Sequence, residues 1–303
     1  MSKKIWIDCN GRADECAAIL TALSLQKLQV IGLSAVSALE FQKETKSLLH
    51  NMISFAGYRD IPCVIGSSEP IASSAAGFQP PFNIQTIQIS EDNDDFRKDV
   101  TDEIWKAAQE NDGLTLVTLG PLTNVARLLL AHPDVTKHIK EIVVAGGMYQ
   151  RGFSPAHSEY NIWSDPYAAK LVLNNDSLPV SMMTLEAAQS ANKVYHRLQV
   201  PTVIKELLRT DCTGQENAVL LRGISIIMYL LAPDTFECLK CHVDVELKSR
   251  YSMGQVVCDL AKNSHKDTDV LVAVQAHLPQ YEKTMNKAFA DISENFKKHS
   301  YRT

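Results

Sequence analysis

The chain has 303 residues, of which 45% are hydrophobic and 21% charged, so it can bury a sizeable core and lacks the composition of a disordered protein. Its 30 basic and 35 acidic side chains give a formal charge of −5, which argues against general nucleic-acid binding, because such proteins carry a basic excess. The apolar runs are far shorter than the roughly 20 residues that cross a bilayer, so we expect no membrane segment.

Short apolar runs alternate with segments whose apolar residues recur at helical spacing. The runs predict strands at 5–8, 28–36, 62–65, 114–119, 140–145 and 179–185. The periodic segments predict helices at 14–25, 41–56 and 96–109, and further helices that begin near 125 and at Asp165-Pro166. This alternation predicts an α/β fold, Rossmann-like and doubly wound, with a mostly parallel central sheet flanked by helices on both faces. No linker divides the chain, so we expect one domain over residues 1–303.

In such sheets, ligands bind beyond the carboxyl ends of the strands. Polar segments follow three of the predicted strands, at 8–15, 120–124 and 146–163. Another long segment, 72–91, is poorly periodic and predicts a lid or a variable surface loop.

The seven cysteines are an odd number, and the opening residues MSKKIWIDCN turn polar at once, unlike a secretion signal. Both features favour a reduced, cytoplasmic protein. Cys238 and Cys241 have the C-x-x-C spacing of zinc ligands and His242 follows them, but no second ligand pair has suitable spacing. We therefore expect these cysteines to lie in an ordinary β-rich stretch.

The first predicted strand ends in the polar sequence D-C-N-G-R-A-D-E at 8–15. Its oxygen-bearing side chains suit a hard cation such as calcium, which takes roughly six to eight oxygen ligands, or the hydroxyls of a sugar. The alternative is a structural role, in which Asp14 and Glu15 stabilise the N-terminal end of a helix through its dipole.

Three further motifs follow in order. They are L-G-P-L-T-N at 119–124, then V-V-A-G-G at 143–147 with S-P, E-Y-N and D-P after it, and C-H-V-D-V-E at 241–246. Together with the first segment they resemble the inosine-uridine-preferring nucleoside hydrolase family, whose motifs are D-x-D-P-G-x-D-D, L-G-P-L-T-N, M-G-G with S-P, E-F-N and D-P, and H-V-D-V-E. The resemblance covers nearly the whole chain and implies the fold of that family.

The resemblance also implies a chemistry, the hydrolysis of the N-glycosidic bond of ribonucleosides to ribose and a free base. In the family a calcium ion binds the ribose 2′- and 3′-hydroxyls and a water, and an aspartate activates that water. The transition state resembles a ribosyl oxocarbenium ion. The implied partner is a small nucleoside or ribose, and the family's usual dimers and tetramers imply a homo-oligomer.

By position, Asp8 matches the family aspartate that organises the site, and Asp14 matches the aspartate that contacts the ribose hydroxyls. Glu159 and Asn161 match the residues that hold those hydroxyls from the opposite wall. Thr123 matches the residue that lends a backbone carbonyl to calcium.

Several positions depart from the family pattern. Asn10 replaces the aspartate that both ligates calcium and accepts the water's proton; its amide can ligate a metal but cannot act as a base near neutral pH. Asp14 is then the candidate base, with Glu15 second; Glu15 replaces the second calcium aspartate with a longer side chain. Leu39 replaces an asparagine that faces the ribosyl cation, and Phe153 replaces one that holds the 5′-hydroxyl.

The family's late His-Asp pair aligns with Arg222-Gly223, where no carboxylate stands. Calcium affinity depends on the charge of its ligands, so these losses predict weak calcium binding. Arg12 and Arg222 add positive charge to the same neighbourhood. One hypothesis is that an arginine occupies the calcium position and pairs with Asp14 or Glu15. The alternative is that both arginines face solvent.

Three functions remain open at this point. The chain is a nucleoside hydrolase with weakened or altered catalysis, a nucleoside- or ribose-binding homologue that no longer catalyses, or a scaffold that keeps the fold alone. Because a fold does not determine a function, the resemblance does not choose among them. A ligand that protects the protein from heat without turnover would favour the binding homologue.

Overall fold

The structure, a computed structural model, describes residues 2–36, 42–71, 99–149, 158–209, 222–249, 251–262, 264 and 270–300. Its strands are β1 (Lys3–Cys9), β2 (Leu28–Ala35), β3 (Cys63–Ile65), β4 (Leu114–Thr118), β5 (Ile139–Ala145), β6 (Val180–Met183), β7 (Phe236–Val245), β8 (Val256–Asp259) and β9 (Val270–Ala276). Its helices are α1 (Ala13–Ser24), α2 (Gln42–Phe55), α3 (Val100–Glu110), α4 (Thr123–Ala131), α5 (Tyr160–Ser164), α6 (Pro166–Leu173), α7 (Leu185–Asn192), α8 (Thr202–Arg209), α9 (Arg222–Leu231) and α10 (Leu278–Ser300).

The strands form one nine-stranded sheet in the order β3-β2-β1-β4-β5-β6-β9-β7-β8. Neighbours from β3 to β9 run parallel, and β7 runs antiparallel to both β9 and β8. The predicted mostly parallel sheet is confirmed. The central strands β1, β4, β5 and β6 are mostly buried, because a parallel sheet is covered on both faces.

Helices cover both faces of the sheet, as predicted. One apolar core packs α1, α2, α9 and α10 against the sheet, and a second core packs α3, α4 and α6 against the opposite face. This arrangement brings the turns after β1, β4 and β5 to the same edge, and those turns contain the polar motifs.

Three predicted boundaries were wrong because side chains cap helices there. The strand predicted to reach 185 ends at Met183, since the hydroxyl of Thr184 accepts from Ala187 N and starts α7. The polar segment 146–163, expected to be a loop, contains the start of α5, which Glu159 caps. The helix predicted from 96 begins at Val100, after its cap Asp99. The predicted lid at 72–91 lies outside the described residues.

Cys238 and Cys241 both lie on β7, as expected for a β-rich stretch. Within the described ranges, no helix combines the length and the apolar character that crossing a membrane requires.

Candidate active site

The turn from β1 into α1 is closed by Glu15. The chain reverses at Gly11, whose φ of +79° favours glycine. Glu15 Oε2 then accepts hydrogen bonds from the backbone nitrogens of Asn10 at 2.8 Å, Gly11 at 3.0 Å and Arg12 at 3.4 Å. Burial raises the pKa of Glu15 to about 8, with Asp14 adding to the increase and Arg12 opposing it. The structural role considered from the sequence is therefore present at Glu15.

Asn10 also turns toward Glu15. The carboxamide of Asn10 and the carboxylate of Glu15 can form hydrogen bonds when the amide nitrogen faces Glu15. Nδ2 is then 2.5 Å from Oε1 and 2.7 Å from Oε2 of Glu15. In this orientation Asn10 acts as a hydrogen-bond donor to Glu15.

Asp8 ends β1 in a fully buried position. Its Oδ1 accepts from the hydroxyl of Ser34 on β2 and, at 2.8 Å, from Nδ2 of Asn124 on α4. Its Oδ2 has no hydrogen-bond partner among the described residues. Burial raises the pKa of Asp8 to about 7, although the hydrogen bonds from Ser34 and Asn124 oppose the increase. Asp8 thus links three elements beneath the site, consistent with an organising role.

Glu159 and Asn161 form the opposite wall. Glu159 Oε2 accepts from the backbone nitrogens of Gly147, Asn161 and Ile162 at 3.0–3.3 Å, which caps α5. Asn161 Nδ2 donates to the carbonyls at 119 and 145, at 2.7 and 2.8 Å, and so ties together the ends of β4 and β5. Asn161 Oδ1 is buried and has no partner among the described residues.

Arg222, the first residue of α9, connects the two walls. Its side chain is only 5% exposed, and Nη1 forms an ion pair with Glu159 Oε1. Burial alone would lower the pKa of Arg222, but attraction to Glu159, Asp14 and Glu15 raises it instead. The alternative in which this arginine faces solvent is wrong.

The guanidinium of Arg12 has a different partner. Its guanidinium carbon is 4.8 Å from the centroid of the Tyr160 ring, a cation–π contact from the start of α1 to α5. Thr123, the first residue of α4, is buried, and its hydroxyl donates to Asp165 Oδ2 at 2.8 Å. Asp165 in turn caps α6 through Ala168 N.

The structure thus brings Asn10, Asp14, Glu15, Glu159 and Arg222 to one edge of the sheet. Phe153 and Leu39 lie outside the described residues, so their predicted roles stay predictions. Sequence reasoning missed three residues at the site. Asn124 belongs to the motif L-G-P-L-T-N, from which only Thr123 was assigned a role. Tyr160 lies between the predicted site residues Glu159 and Asn161. No sequence signal marked Ser34.

The arrangement is a buried cation surrounded by carboxylates. Asp14, at 8% exposure, is more accessible than Glu15 or Glu159. Such a group of charges can bind a polyhydroxylated ligand, and a carboxylate near the surface can take a proton from water.

Comparisons with known proteins agree with this fold. A sequence profile described as "Inosine-uridine preferring nucleoside hydrolase" matches residues 5–283. The pyrimidine-specific ribonucleoside hydrolase RihA of Klebsiella pneumoniae is 28% identical over 289 residues, covering 86% of this chain and 89% of that protein. The non-specific ribonucleoside hydrolase RihC of Escherichia fergusonii is 24% identical and covers 97% and 100%.

Solved structures give the same result for the fold. A plant nucleoside hydrolase, the PpNRh1 enzyme, superposes with a TM-score of 0.78 at 20% identity, covering 95% of this chain and 99% of that one. An inosine-uridine preferring nucleoside hydrolase from Bacillus anthracis superposes with a TM-score of 0.75 at 15% identity, with the same coverage.

Proposed function

Because this chain belongs to the inosine-uridine preferring nucleoside hydrolase family, we propose that it binds ribonucleosides at this site and hydrolyses their N-glycosidic bond at a reduced rate. One observation carries the proposal: Asp14, Glu159 and Arg222 converge at the carboxyl edge of the sheet, where α/β folds bind ligands. The ribose is the part of the substrate that this group of charges would hold.

Asp14 is the proposed base. It is the more exposed carboxylate of the cluster, and it would take a proton from the water that attacks the anomeric carbon. The electron pair of the broken C–N bond leaves with the nucleobase, which is then protonated. The buried carboxylates stabilise the positive charge that develops on the ribose. Since Asn10 cannot serve as a base, we expect a rate reduced by about 10²–10⁴-fold relative to a site with an aspartate there.

A second candidate function, ribonucleoside binding without turnover, is favoured by the contacts of Asn10 and Glu159. Asn10 donates to Glu15, and both oxygens of Glu159 already accept hydrogen bonds. These groups are then positioned for recognition rather than for proton transfer.

The relatives are specific for pyrimidine nucleosides in one case and non-specific in another. We therefore propose purine and pyrimidine ribonucleosides together as the substrate class to examine. A cytoplasmic location and a dimeric or tetrameric assembly, supported by the cysteine content and the family resemblance, belong to the same proposal.

The test is the release of reducing sugar from a panel of purine and pyrimidine ribonucleosides at micromolar protein. Asp14→Asn removes the proposed base without changing its size, and Asp112→Asn, at a site where the side chain is 82% exposed, is the matched control. We expect slow release by the wild type and the control, and a loss of about 100-fold or more in Asp14→Asn.

Equal release by Asp14→Asn and the wild type would contradict the role of Asp14. Ribonucleosides that raise the melting temperature without any sugar release would favour the second candidate. Neither release nor a thermal shift would exclude both functions.

A further inference from the structure

The carboxylates of the candidate site need a buried counter-charge. Asp14, Glu15 and Glu159 are all less than 10% exposed, and any of these carboxyl groups that is ionised is costly to bury unless a cation pairs with it. The family resemblance assigns this role to a calcium ion. In this chain the guanidinium of Arg222 already interacts with all three carboxylates and forms an ion pair with Glu159. A metal ion added at the same place would be repelled by it.

The oxygens at the site are also poorly disposed to bind calcium, which takes roughly six to eight of them. Glu15 Oε2 already accepts from three backbone nitrogens, and the carboxamide of Asn10 is turned toward Glu15. Glu159 uses Oε2 for three backbone nitrogens and Oε1 for Arg222. The residues present therefore do not fit a calcium ion.

The close packing of α9 on α1 excludes a replacement ligand next to Arg222. A Cβ at Gly223 would lie 2.8 Å from the backbone oxygen of Asp14 and 3.0 Å from the Cβ of Ala18. The aspartate that the resemblance expects near this position could not stand at Gly223 unless one helix moved. The position that lacks the expected carboxylate, Gly223, thus directly follows Arg222 at the start of α9.

We infer that Arg222 is the resident cation of this site, replacing the calcium ion as the partner of the carboxylates and as a donor to the ribose hydroxyls. Arg222 Nε is buried and has no hydrogen-bond partner among the described residues. Within the same part of the structure, Asn161 Oδ1, on the wall of Glu159, is a buried acceptor without a partner. A hydroxyl group both donates and accepts, which matches this pair. The hydroxyl contact rests on the proposed function; the replacement of calcium does not.

Calcium titration tests the replacement without any nucleoside. Calcium chloride is titrated by calorimetry into the wild type, Asn10→Asp, the double variant Asn10→Asp/Arg222→Gln and the control Arg197→Gln. Arg197 forms an exposed ion pair with Glu282. Arg197→Gln therefore removes the same positive charge as Arg222→Gln, but outside the candidate site. We expect the double variant to bind calcium at least about tenfold more tightly than the other three proteins, because it gains a carboxylate and loses the competing cation. An arginine with a purely structural role would not produce this gain.

Wild-type binding of calcium as tight as that of the double variant would overturn the inference, as would a folded double variant that binds no calcium. If the double variant does not fold, Asn10→Asp decides: weak calcium binding with Arg222 in place supports the inference, and tight binding overturns it.

In a second experiment, uridine and inosine are titrated into the wild type with a chelator or with millimolar calcium. We expect the two dissociation constants to agree within about twofold, whereas binding lost only in chelator would overturn the inference. If neither nucleoside binds under either condition, the proposed function fails and the calcium arm still decides the replacement.

Discussion

Glu15 and Glu159 lie on opposite walls of the candidate site, and each caps the start of a helix with one carboxylate oxygen. For each of them, Oε2 accepts from three backbone nitrogens. The two carboxylates differ in their side-chain partners. Glu159 Oε1 binds the guanidinium of Arg222, 63 residues away in the chain, whereas Glu15 meets the amide of its neighbour Asn10. Two similar caps therefore carry different electrostatic roles.

Capping and charge pairing are separable at this site. The Glu15 cap closes its own turn and would do so in any helix with a glutamate at this position. The pairing of Glu159 depends on the placement of α9, and thus on the tertiary fold.

The largest effect that distinguishes the two walls is on stability. Glu159→Gln leaves Arg222 buried without its carboxylate, and we expect it to lower the free energy of unfolding by about 3 kcal/mol. Glu15→Gln keeps an oxygen that can accept from the same backbone nitrogens, so we expect a cost of about 1 kcal/mol. Urea unfolding of both variants, with Glu282→Gln as an exposed ion-pair control, measures the difference. Equal costs for the two site variants would refute the distinction.

A second effect is expected in the dependence of stability on pH. Burial raises the pKa of Asp8 to about 7 and that of Glu15 to about 8, above the values for an unfolded chain. Between the unfolded and folded pKa values the folded protein binds more protons, so the free energy of unfolding falls as pH rises from about 4 toward 8. We expect Asp8→Asn, followed by chemical denaturation at several pH values, to make this slope shallower below pH 7 and to leave the contribution of Glu15. An unchanged slope would show that Asp8 does not titrate in that window.

The smallest effect concerns a cap that resembles Glu15 but lies at the surface. Asp99 starts α3 by accepting from Thr101 N at 2.8 Å, and this hydrogen bond lowers the pKa of Asp99. Asp99→Ala should cost about 1 kcal/mol at neutral pH, and the loss should shrink as pH falls through the lowered pKa. Thermal unfolding beside Asp112→Ala provides the measurement. A cost no larger than that of the control would mean that this cap contributes nothing.

Local patterns predicted the first half of the sheet well. The apolar run before Asp8 and the helical spacing after Ala13 correspond to β1 and α1, because burial on both faces of a parallel sheet leaves a clear apolar signal. The short helix α5 was missed, since five residues give no period and its start depends on the side chain of Glu159. The placement of β9 between β6 and β7 was not predicted either, because strand order is set by contacts distant in sequence.

The candidate site was predictable as a set of residues but not as a set of partners. The motifs pointed to Asp14, Glu159 and Asn161, and the charge change pointed to Arg12 and Arg222 together. Sequence alone could not choose between the two arginines, since both align with the same neighbourhood. The choice follows from the fold: Arg222 is buried against Glu159, and Arg12 stacks on Tyr160.

The replacement of calcium by Arg222 is visible directly in a crystal structure grown with excess calcium and a ribonucleoside. We expect the guanidinium of Arg222 to lie between Glu159 and the ribose hydroxyls, with no anomalous signal from calcium at the site. A calcium ion with a shell of seven or eight oxygens, roughly the number that this ion prefers, touching Asp14 or Glu15 would contradict it.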